Sequence, residues 1–170
     1  DYTFDISGVT RTLEDQTIAP GEFAYLWTKQ ENNGQTMEGY AEYWEIDAND
    51  VQVVSFGGLN DVGARTLSLT DPQGNLVSTA TYPENEYERN KAFIFGVADD
   101  LGPELELLGT KQEVVPGRVG LPPASGDEPI PSLIITKIVP DTESSYHPYT
   151  GEERTDAYEM IEIYNTTDED

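Results

Sequence analysis

The segments SLIITKIVP, residues 132–140, and AYEMIEIYN, residues 157–165, decide how this chain folds. Valine, isoleucine and tyrosine dominate both segments, and these residues are enriched in β-strands. Pro140 closes the first segment, because proline cannot donate to the ladder of a central strand. We therefore predict two strands that are joined by the polar loop at residues 141–156.

The second of these strands is apolar on both of its faces. Because side chains alternate along a strand, Ile161 and Ile163 share one face, and Met160 and Tyr164 share the other. Such a strand is typical of the interior of a sheet that is covered on both sides. The given sequence ends at Asp170, so we expect the rest of the sheet to come from earlier residues or from another molecule.

Runs of the same kind recur in the earlier part of the chain. The turn Asp71-Pro72-Gln73-Gly74 places proline and glycine between two of them, which predicts a hairpin. Residues 40–46 are aromatic and acidic, and their pattern fits either a strand or a short helix. The predicted strands lie at residues 3–13 with an interruption at Gly8, and at residues 23–27, 51–56, 65–70, 76–82, 92–97 and 105–108. The chain is therefore predicted to be all-β.

Several motifs resemble those of the lamin tail domain, an immunoglobulin-like β-sandwich of nuclear lamins and of many secreted bacterial proteins. That family opens with a strand of the type I-x-I-T-E-I and a second strand of the type E-F-I-E-L-Y-N. SLIITKI and YEMIEIYN are similar to these two strands, with Lys137 in place of the acid. The residues that match the second strand and the later motifs are Glu159, Ile161, Glu162, Ile163, Tyr164 and Asn165, then Asp5-Ile6-Ser7-Gly8, Ala19-Pro20-Gly21-Glu22-Phe23, Gly58-Leu59-Asn60-Asp61-Val62-Gly63, Leu67, Leu69, Asp71, Gly74 and Val115-Pro116-Gly117.

The resemblance implies an immunoglobulin-like β-sandwich whose first two strands come last in the chain. Residues 1–116 then form a sandwich body that lacks two strands. Residues 132–170 supply those strands to a neighbouring copy or to the same body. Residues 117–131 are rich in proline and glycine, which is typical of a semi-rigid linker.

Three arrangements fit this order: folding back onto the same body, pairing with the next domain of a tandem array, and insertion into another subunit. We expect a neighbouring copy, because a proline-rich linker separates consecutive domains in this family. Copies would then assemble head to tail. The predicted assembly contacts are apolar side chains of the two strands, namely Leu133, Ile135, Ile138, Met160, Ile161, Ile163 and Tyr164.

The composition limits the partners. The chain has 33 acidic and 9 basic residues and a net charge of -24, and such a surface repels nucleic-acid phosphates and anionic membranes. No apolar run approaches the roughly 20 residues of a membrane span. We therefore predict neither nucleic-acid binding nor membrane insertion. The chain contains no cysteine, which excludes disulfides and thiol chemistry.

No pattern of residues indicates catalysis. His147 is the single histidine, and the sequence holds neither a cysteine nor a G-x-S-x-G motif that a histidine base would activate. A phosphate-binding loop is also missing, because Gly57-Gly58 is too short to form one. Pairs of carboxylates are expected by chance among 33 acidic residues. We predict that the domain is not an enzyme.

The loop between the two closing strands is a candidate calcium site. Ca²⁺ prefers oxygen ligands, and this loop holds Asp141, Glu143, Glu152, Glu153 and Asp156. A solvated acidic loop is the alternative, since the spacing is not that of an EF-hand. A smaller group, Asp47, Asn49 and Asp50, is explained equally well by turn capping. Ca²⁺ is the one candidate cofactor.

Two further patterns suggest surface recognition. Carbohydrate rings stack on aromatic side chains, and a platform of Tyr40, Tyr43, Trp44, Tyr146 and Tyr149 is one interpretation. Burial in the core or at the rim of the sandwich is the other. Asn165-Thr166-Thr167 is an N-glycosylation sequon, but a structural role for Asn165 in a turn fits the resemblance better.

These observations favour a non-enzymatic structural or interaction module of an extracellular or cell-surface protein or fibre. Its expected partners are other copies of itself or an adjacent repeat, joined by strand complementation. Bacterial lamin tail domains accompany secreted enzymes, so the resemblance also implies an alternative. In that alternative the chain is an accessory domain of a phosphoesterase or nuclease that binds Ca²⁺ or carbohydrate.

Overall fold

The computed structural model describes residues 1–13, 17–30, 33–55, 58–59, 63–117, 130–142, 145–146, 153–154 and 157–168. The strands within these ranges are β1 (Tyr2–Ile6), β2 (Val9–Leu13), β3 (Phe23–Lys29), β4 (Val51–Ser55), β5 (Arg65–Thr70), β6 (Leu76–Tyr82), β7 (Lys91–Val97), β8 (Leu105–Glu113), β9 (Leu133–Val139), β10 (Ser145–Tyr146), β11 (Glu153–Arg154) and β12 (Met160–Asn165). Helix α1 spans Met37–Trp44, and a 3₁₀ turn spans Ala48–Asp50.

The strands form two packed sheets, so the prediction of an all-β sandwich is confirmed. A four-stranded sheet has the order β2-β1-β5-β6, and a six-stranded sheet has the order β4-β3-β12-β9-β7-β8. Strands β10 and β11 pair separately as a short ribbon. Apolar side chains of both sheets meet between them and are almost completely buried, among them Phe4, Leu67, Leu69, Phe93, Phe95, Ile135, Ile161 and Ile163.

Two predicted turns of the smaller sheet have the expected residues in the expected conformations. Ser7 and Gly8 both have positive φ, at 50° and 90°, and they turn the chain between β1 and β2. Positive φ at both central positions is the requirement of a type I′ hairpin turn. Between β5 and β6, the Asp71 carboxylate accepts hydrogen bonds from the backbone N–H of Gln73 and Asn75 at 2.9 and 2.8 Å. Gly74 follows at φ 87°.

The strands β9 and β12 lie in the middle of the larger sheet of their own chain. Strand β12 pairs with β3 and β9, and β9 pairs with β7 as well. The predicted interior position of both strands is therefore confirmed. In the single chain they complete their own body, which is the fold-back arrangement, and the expected pairing with a neighbouring copy stays a prediction.

Helix α1 covers the outer face of the larger sheet and resolves the ambiguity at residues 40–46 in favour of a helix. Thr36 caps its first turn, because the Thr36 hydroxyl accepts a hydrogen bond from the Gly39 N–H at 3.1 Å. Tyr40, Ala41 and Trp44 fall on one face of the helix and are buried. A second apolar cluster forms where this face meets the sheet.

Strand β8 is longer than the predicted run at residues 105–108, because it continues to Glu113. Its second half is mostly exposed and polar, so apolar pattern alone does not reveal it. The pairing with β7 shifts register twice, between Ala92 and Ile94 and between Ile94 and Phe95. Such irregularities are common at the edges of sheets.

Candidate functional site

The candidate site is the cleft between β3 and β7 in which β9 and β12 lie. We call β9 and β12 the strand pair, residues 1–117 the body, and the cleft the seat. All seven predicted assembly residues belong to this contact. Six of them are buried, and Tyr164 is partly buried with its ring 4.8 Å from that of Phe23. The six buried residues are Leu133, Ile135, Ile138, Met160, Ile161 and Ile163.

The strand pair is covered on both faces, as its sequence predicts. Ile161 and Ile163 point into the space between the sheets. Met160 and Val139 belong to the cluster under helix α1, where Trp27 also lies. Burying one such side chain contributes about 1.5–3 kcal/mol before entropy is subtracted. The apolar contact is therefore large enough to hold the pair firmly.

The entry of the chain into β12 is held by side-chain donors of the body. The indole N–H of Trp27 and the amide of Asn33 both donate to the carbonyl of Ala157, at 3.1 and 2.7 Å. Asn33 is 6% exposed, although its neighbours in the stretch ENNGQ are polar residues and glycine. Both donors bind the backbone of Ala157, so these two contacts do not depend on its side chain.

Helix α1 contributes two more donors to the same segment. The indole N–H of Trp44 donates to the carbonyl of Tyr158 at 2.9 Å, and the hydroxyl of Tyr40 donates to the carbonyl of Glu159 at 3.3 Å. Burial and the nearby Glu159 charge raise the pKa of the Tyr40 hydroxyl well above its ordinary value, so it stays a donor. The helix thus binds the strand pair as well as covering it.

The side chain of Glu159 connects the strand pair to a distant turn of the body. Its carboxylate accepts hydrogen bonds from the Thr28 hydroxyl at 2.7 Å and from the Leu59 N–H at 2.9 and 2.8 Å. Gly58 has φ 91°, and a Cβ there would lie 2.8 Å from Nε2 of Gln30. Glycine is therefore required beside the carboxylate. Two of the motifs that resemble the lamin tail domain meet at this point.

The second buried carboxylate is that of Glu162, which lies in β12 three residues after Glu159. It forms an ion pair with Lys137 of β9, and both side chains are almost completely buried. The Thr136 hydroxyl donates to the same carboxylate at 2.6 Å, and the Gly117 N–H donates at 2.8 Å. Lys137, which stands where the family has an acid, thus neutralises a charge that would otherwise be buried alone.

The phenol of Tyr25 lies close to the same carboxylate. Burial is the main cause that raises the pKa of Tyr25 above its ordinary value, and the charges of Glu162, Asp50 and Glu22 add to it. A neutral phenol is therefore favoured in the folded chain.

Asn165 ends β12 and has the structural role that the resemblance favours. Its amide donates to the carbonyl of Ile18 at 2.7 Å, and its side-chain oxygen accepts from the N–H and the hydroxyl of Thr167. The backbone of Asn165 also pairs with Gly21 and Glu22. Asn165 is 3% exposed, so the folded chain does not present it as a glycosylation site.

Of the five predicted calcium ligands, only Asp141 has its side chain within the part of the chain that the structure describes. Asp141 is 8% exposed and forms an ion pair with Arg89 at 3.5 Å. Glu143, Glu152, Asp156 and the side chain of Glu153 lie outside the part that the structure describes. Within that part, no three acidic or histidine side chains form a group that could hold a metal. The calcium site stays a prediction.

The smaller group of Asp47, Asn49 and Asp50 forms a capped turn, which is the structural interpretation of these residues. The Asp47 carboxylate accepts hydrogen bonds from the backbone and side chain of Asn49 at 2.9 and 2.8 Å. Asp47 thereby caps the 3₁₀ turn that contains Asp50.

The aromatic platform is wrong for two of its residues, because Tyr40 and Trp44 are buried against the sheet. Tyr40 stacks on Trp27 with ring centroids 4.6 Å apart. Tyr43 stacks on Tyr158 at 4.0 Å. Tyr149 and the side chain of Tyr146 lie outside the described residues, as does His147. Tyr40 and Trp44 therefore belong to the apolar cluster under α1.

A cavity of about 340 Å³ opens at the end of the sandwich where the two ends of the described chain meet. Asp1 and Tyr2 line it on one side, and Asn165 and Thr167 line it on the other. Leu13 and Leu133 are among its apolar residues. Residues next to β1 and β12 thus line the same cavity.

Comparison with family models, with curated proteins and with solved structures finds no match for this chain. The likeness to lamin tail domains therefore stays a prediction from the sequence motifs. No helix among the described residues is long and apolar enough to cross a membrane.

Sequence reasoning finds the apolar residues of the seat but misses its donors. Trp27, Asn33, Tyr40 and Trp44 bind backbone carbonyls that lie more than a hundred residues away in sequence. No spacing rule connects residues so far apart. The one available signal is the cluster of aromatics with polar atoms, which need partners when they are buried.

Proposed function

We propose that the protein is a non-enzymatic structural or interaction module of an extracellular surface protein or fibre, related in kind to lamin tail domains. Copies assemble head to tail by exchanging the strand pair. One observation carries this proposal: the two central strands of the larger sheet are contributed by a segment that a linker joins to the body. The strand pair is thus a separable unit with a large, specific seat.

The linker has more length than the closed chain needs. Gly117 contacts Glu162, and Pro131 accepts a hydrogen bond from Thr166. Glu162 and Thr166 are four positions apart along the chain, which corresponds to about 14 Å. The intervening residues 118–130, if extended like polyproline, reach about 40 Å. The same linker therefore has the length to reach the seat of an adjacent copy.

Exchange preserves the contacts of the seat, because the same residues meet in either arrangement. The closed chain is favoured at low concentration, since the linker gives the tethered pair an effective concentration on the order of millimolar. Exchange is favoured where copies are crowded at a surface or held in tandem. A contact between different faces of successive copies is heterologous, so it extends into an open chain unless the rotation closes.

A disulfide trap tests the proposal, because the chain has no cysteine of its own. Phe23 and Tyr164 lie directly opposite each other in β3 and β12, so Phe23→Cys with Tyr164→Cys joins the pair to whichever body holds it. The protein is refolded at increasing concentration, oxidised, and separated on non-reducing gels. We expect a ladder of covalent multimers that grows with concentration.

The matched control is Thr3→Cys with Thr70→Cys, which are opposed within the body. This variant should give a single monomer band at every concentration. If the first variant also gives only monomer under all conditions, including the highest concentration at which it stays in solution, the proposal of exchange is overturned.

A further inference from the structure

Asn33 and Gly34 form the single Asn-Gly sequence in the chain. Asn33 is buried while Gly34 is exposed. The Asn33 side chain is held at both ends, since its amide donates to the Ala157 carbonyl at 2.7 Å and its oxygen accepts from the Gln35 N–H at 3.0 Å. One of these two partners belongs to the segment that leads into the strand pair.

We propose that Asn33 is a site of spontaneous deamidation, which the seated strand pair suppresses and whose product weakens the seat. The inference concerns the single chain and holds whether a departing pair returns to its own body or enters a neighbour.

The chemistry needs only water. The backbone nitrogen of Gly34 attacks the side-chain carbonyl carbon of Asn33, a C–N bond forms, and the bond to the amide nitrogen breaks. Ammonia leaves with the proton that the Gly34 nitrogen loses, and a five-membered imide remains. Water then opens the imide at either carbonyl, which gives aspartate or isoaspartate. Glycine favours the attack because no side chain shields its nitrogen.

The seated strand pair opposes the first step. The attack requires the Asn33 amide to rotate toward the backbone, and both hydrogen bonds must break for this rotation. When the pair leaves, the Ala157 carbonyl leaves with it. The rate therefore depends on how often the local structure opens, as exchange of protected amide hydrogens does.

The product does not fit the seat. A carboxylate at position 33 has no proton to donate, and it would face the carbonyl oxygen of Ala157. Isoaspartate also lengthens the backbone just before Thr36, the residue that caps α1. The helix carries two of the other donors to the strand pair. Deamidation thus disturbs several contacts of the seat at once.

The experiment follows deamidation at residue 33 in the full chain by peptide mass spectrometry, which detects an increase of about 1 Da for this change. Samples are incubated at mildly alkaline pH in buffer, in buffer with denaturing urea, and in buffer with the opening variant Ile161→Ala. We expect the rate in urea to exceed the native rate by about tenfold or more, with the variant in between. Gly34→Ala should slow the reaction in urea.

A second measurement tests the consequence. Asn33→Asp should raise the unfolding equilibrium constant by about tenfold or more, the usual effect of leaving a buried hydrogen-bonding group without its partner. Equal rates of deamidation in the native and urea-treated chains would overturn the protection by the strand pair. Absence of the reaction in urea would overturn the site, and wild-type stability of Asn33→Asp would overturn the effect on the seat.

Discussion

The carboxylate of Glu159 accepts a hydrogen bond from the backbone N–H of Leu59, one hundred residues earlier in the chain. Leu59 lies between β4 and β5 in the sequence, and Glu159 stands just before β12. The two segments therefore cannot reach their final conformations independently. The Leu59 N–H gains this acceptor only when the strand pair is seated, and the carboxylate gains this donor in addition to the Thr28 hydroxyl.

This relationship predicts a specific loss for Glu159→Gln. The substitution keeps the size of the side chain but places an NH₂ group among donors, so at least one of the contacts to Leu59 and Thr28 is lost. Hydrogen bonds to charged groups contribute about 1.5–3 kcal/mol. We expect a decrease of that size in the free energy of unfolding, measured by urea denaturation.

Glu106→Gln is the matched control, because Glu106 is exposed on β8. A change within about 0.5 kcal/mol is expected there. If Glu159→Gln were as mild as this control, the carboxylate would not be needed at that position.

The buried ion pair of Lys137 and Glu162 predicts a non-additive pattern. Lys137→Met alone leaves a buried carboxylate without its counter-charge, and removing one partner of a buried pair costs about 3–5 kcal/mol. The double variant with Glu162→Gln removes both charges and should recover part of that loss. Urea denaturation of the two single variants and the double variant measures the coupling.

A surface pair provides the comparison. Lys91 and Glu113 also form an ion pair, but the Glu113 side chain is 80% exposed. Exposed pairs contribute about 0–1 kcal/mol, so Lys91→Met should change stability little. Equal losses for Lys91→Met and Lys137→Met would contradict the role of burial.

Ser78 predicts a gain in stability. Its hydroxyl is completely buried on β6 and has no hydrogen-bond partner among the described residues. An unsatisfied buried polar group costs about 1–3 kcal/mol. Ser78→Ala should therefore raise the free energy of unfolding, by about 1 kcal/mol after the loss of packing is subtracted. Thermal unfolding of the two proteins measures the difference, and a lower melting temperature would show that the hydroxyl has a partner.

Tyr25 predicts a loss of stability at alkaline pH. Its pKa is raised in the folded chain above the unfolded value of about 10. The folded state therefore binds more protons than the unfolded state above that pH, and stability falls as pH rises further. The fall should be shallower in Tyr25→Phe, which lacks the titrating group. The measurement is the free energy of unfolding at several pH values on either side of 10, and parallel curves for the two proteins would contradict it.

Strand positions follow from the sequence where the local signals agree. Gly74 and the Asp71 carboxylate specify one hairpin, and the apolar alternation of Ile161 and Ile163 specifies an interior strand. At residues 40–46 local preferences conflict, because tyrosine and tryptophan favour strands while the Thr36 cap favours a helix. The contact with the sheet decides for the helix, and that contact is not visible in the local sequence.

The site is less predictable than the strands, because its contacts join residues that are distant in the sequence. Asn33 has the sequence of an exposed turn, yet the Ala157 carbonyl gives its amide a buried partner. The contacts do not distinguish a strand pair that is seated in its own body from one that is seated in a neighbour, since both arrangements would use the same residues. Under the proposed exchange, linker length and concentration would determine the arrangement instead.

The meeting of Asp1 and Thr167 at one cavity has a mechanical consequence. Tension applied through these two ends would peel β1 and β12 away from the same end of the sandwich, so each ladder bond would be loaded in turn. A strand that is pulled along its length resists better, because all its ladder bonds share the load. In a fibre of exchanged copies, the β12–β3 and β9–β7 ladders would join the strand pair of one copy to the body of the next, and tension along the fibre would load these two ladders together. Such a fibre would therefore resist tension along its axis better than the single folded chain resists tension applied at Asp1 and Thr167.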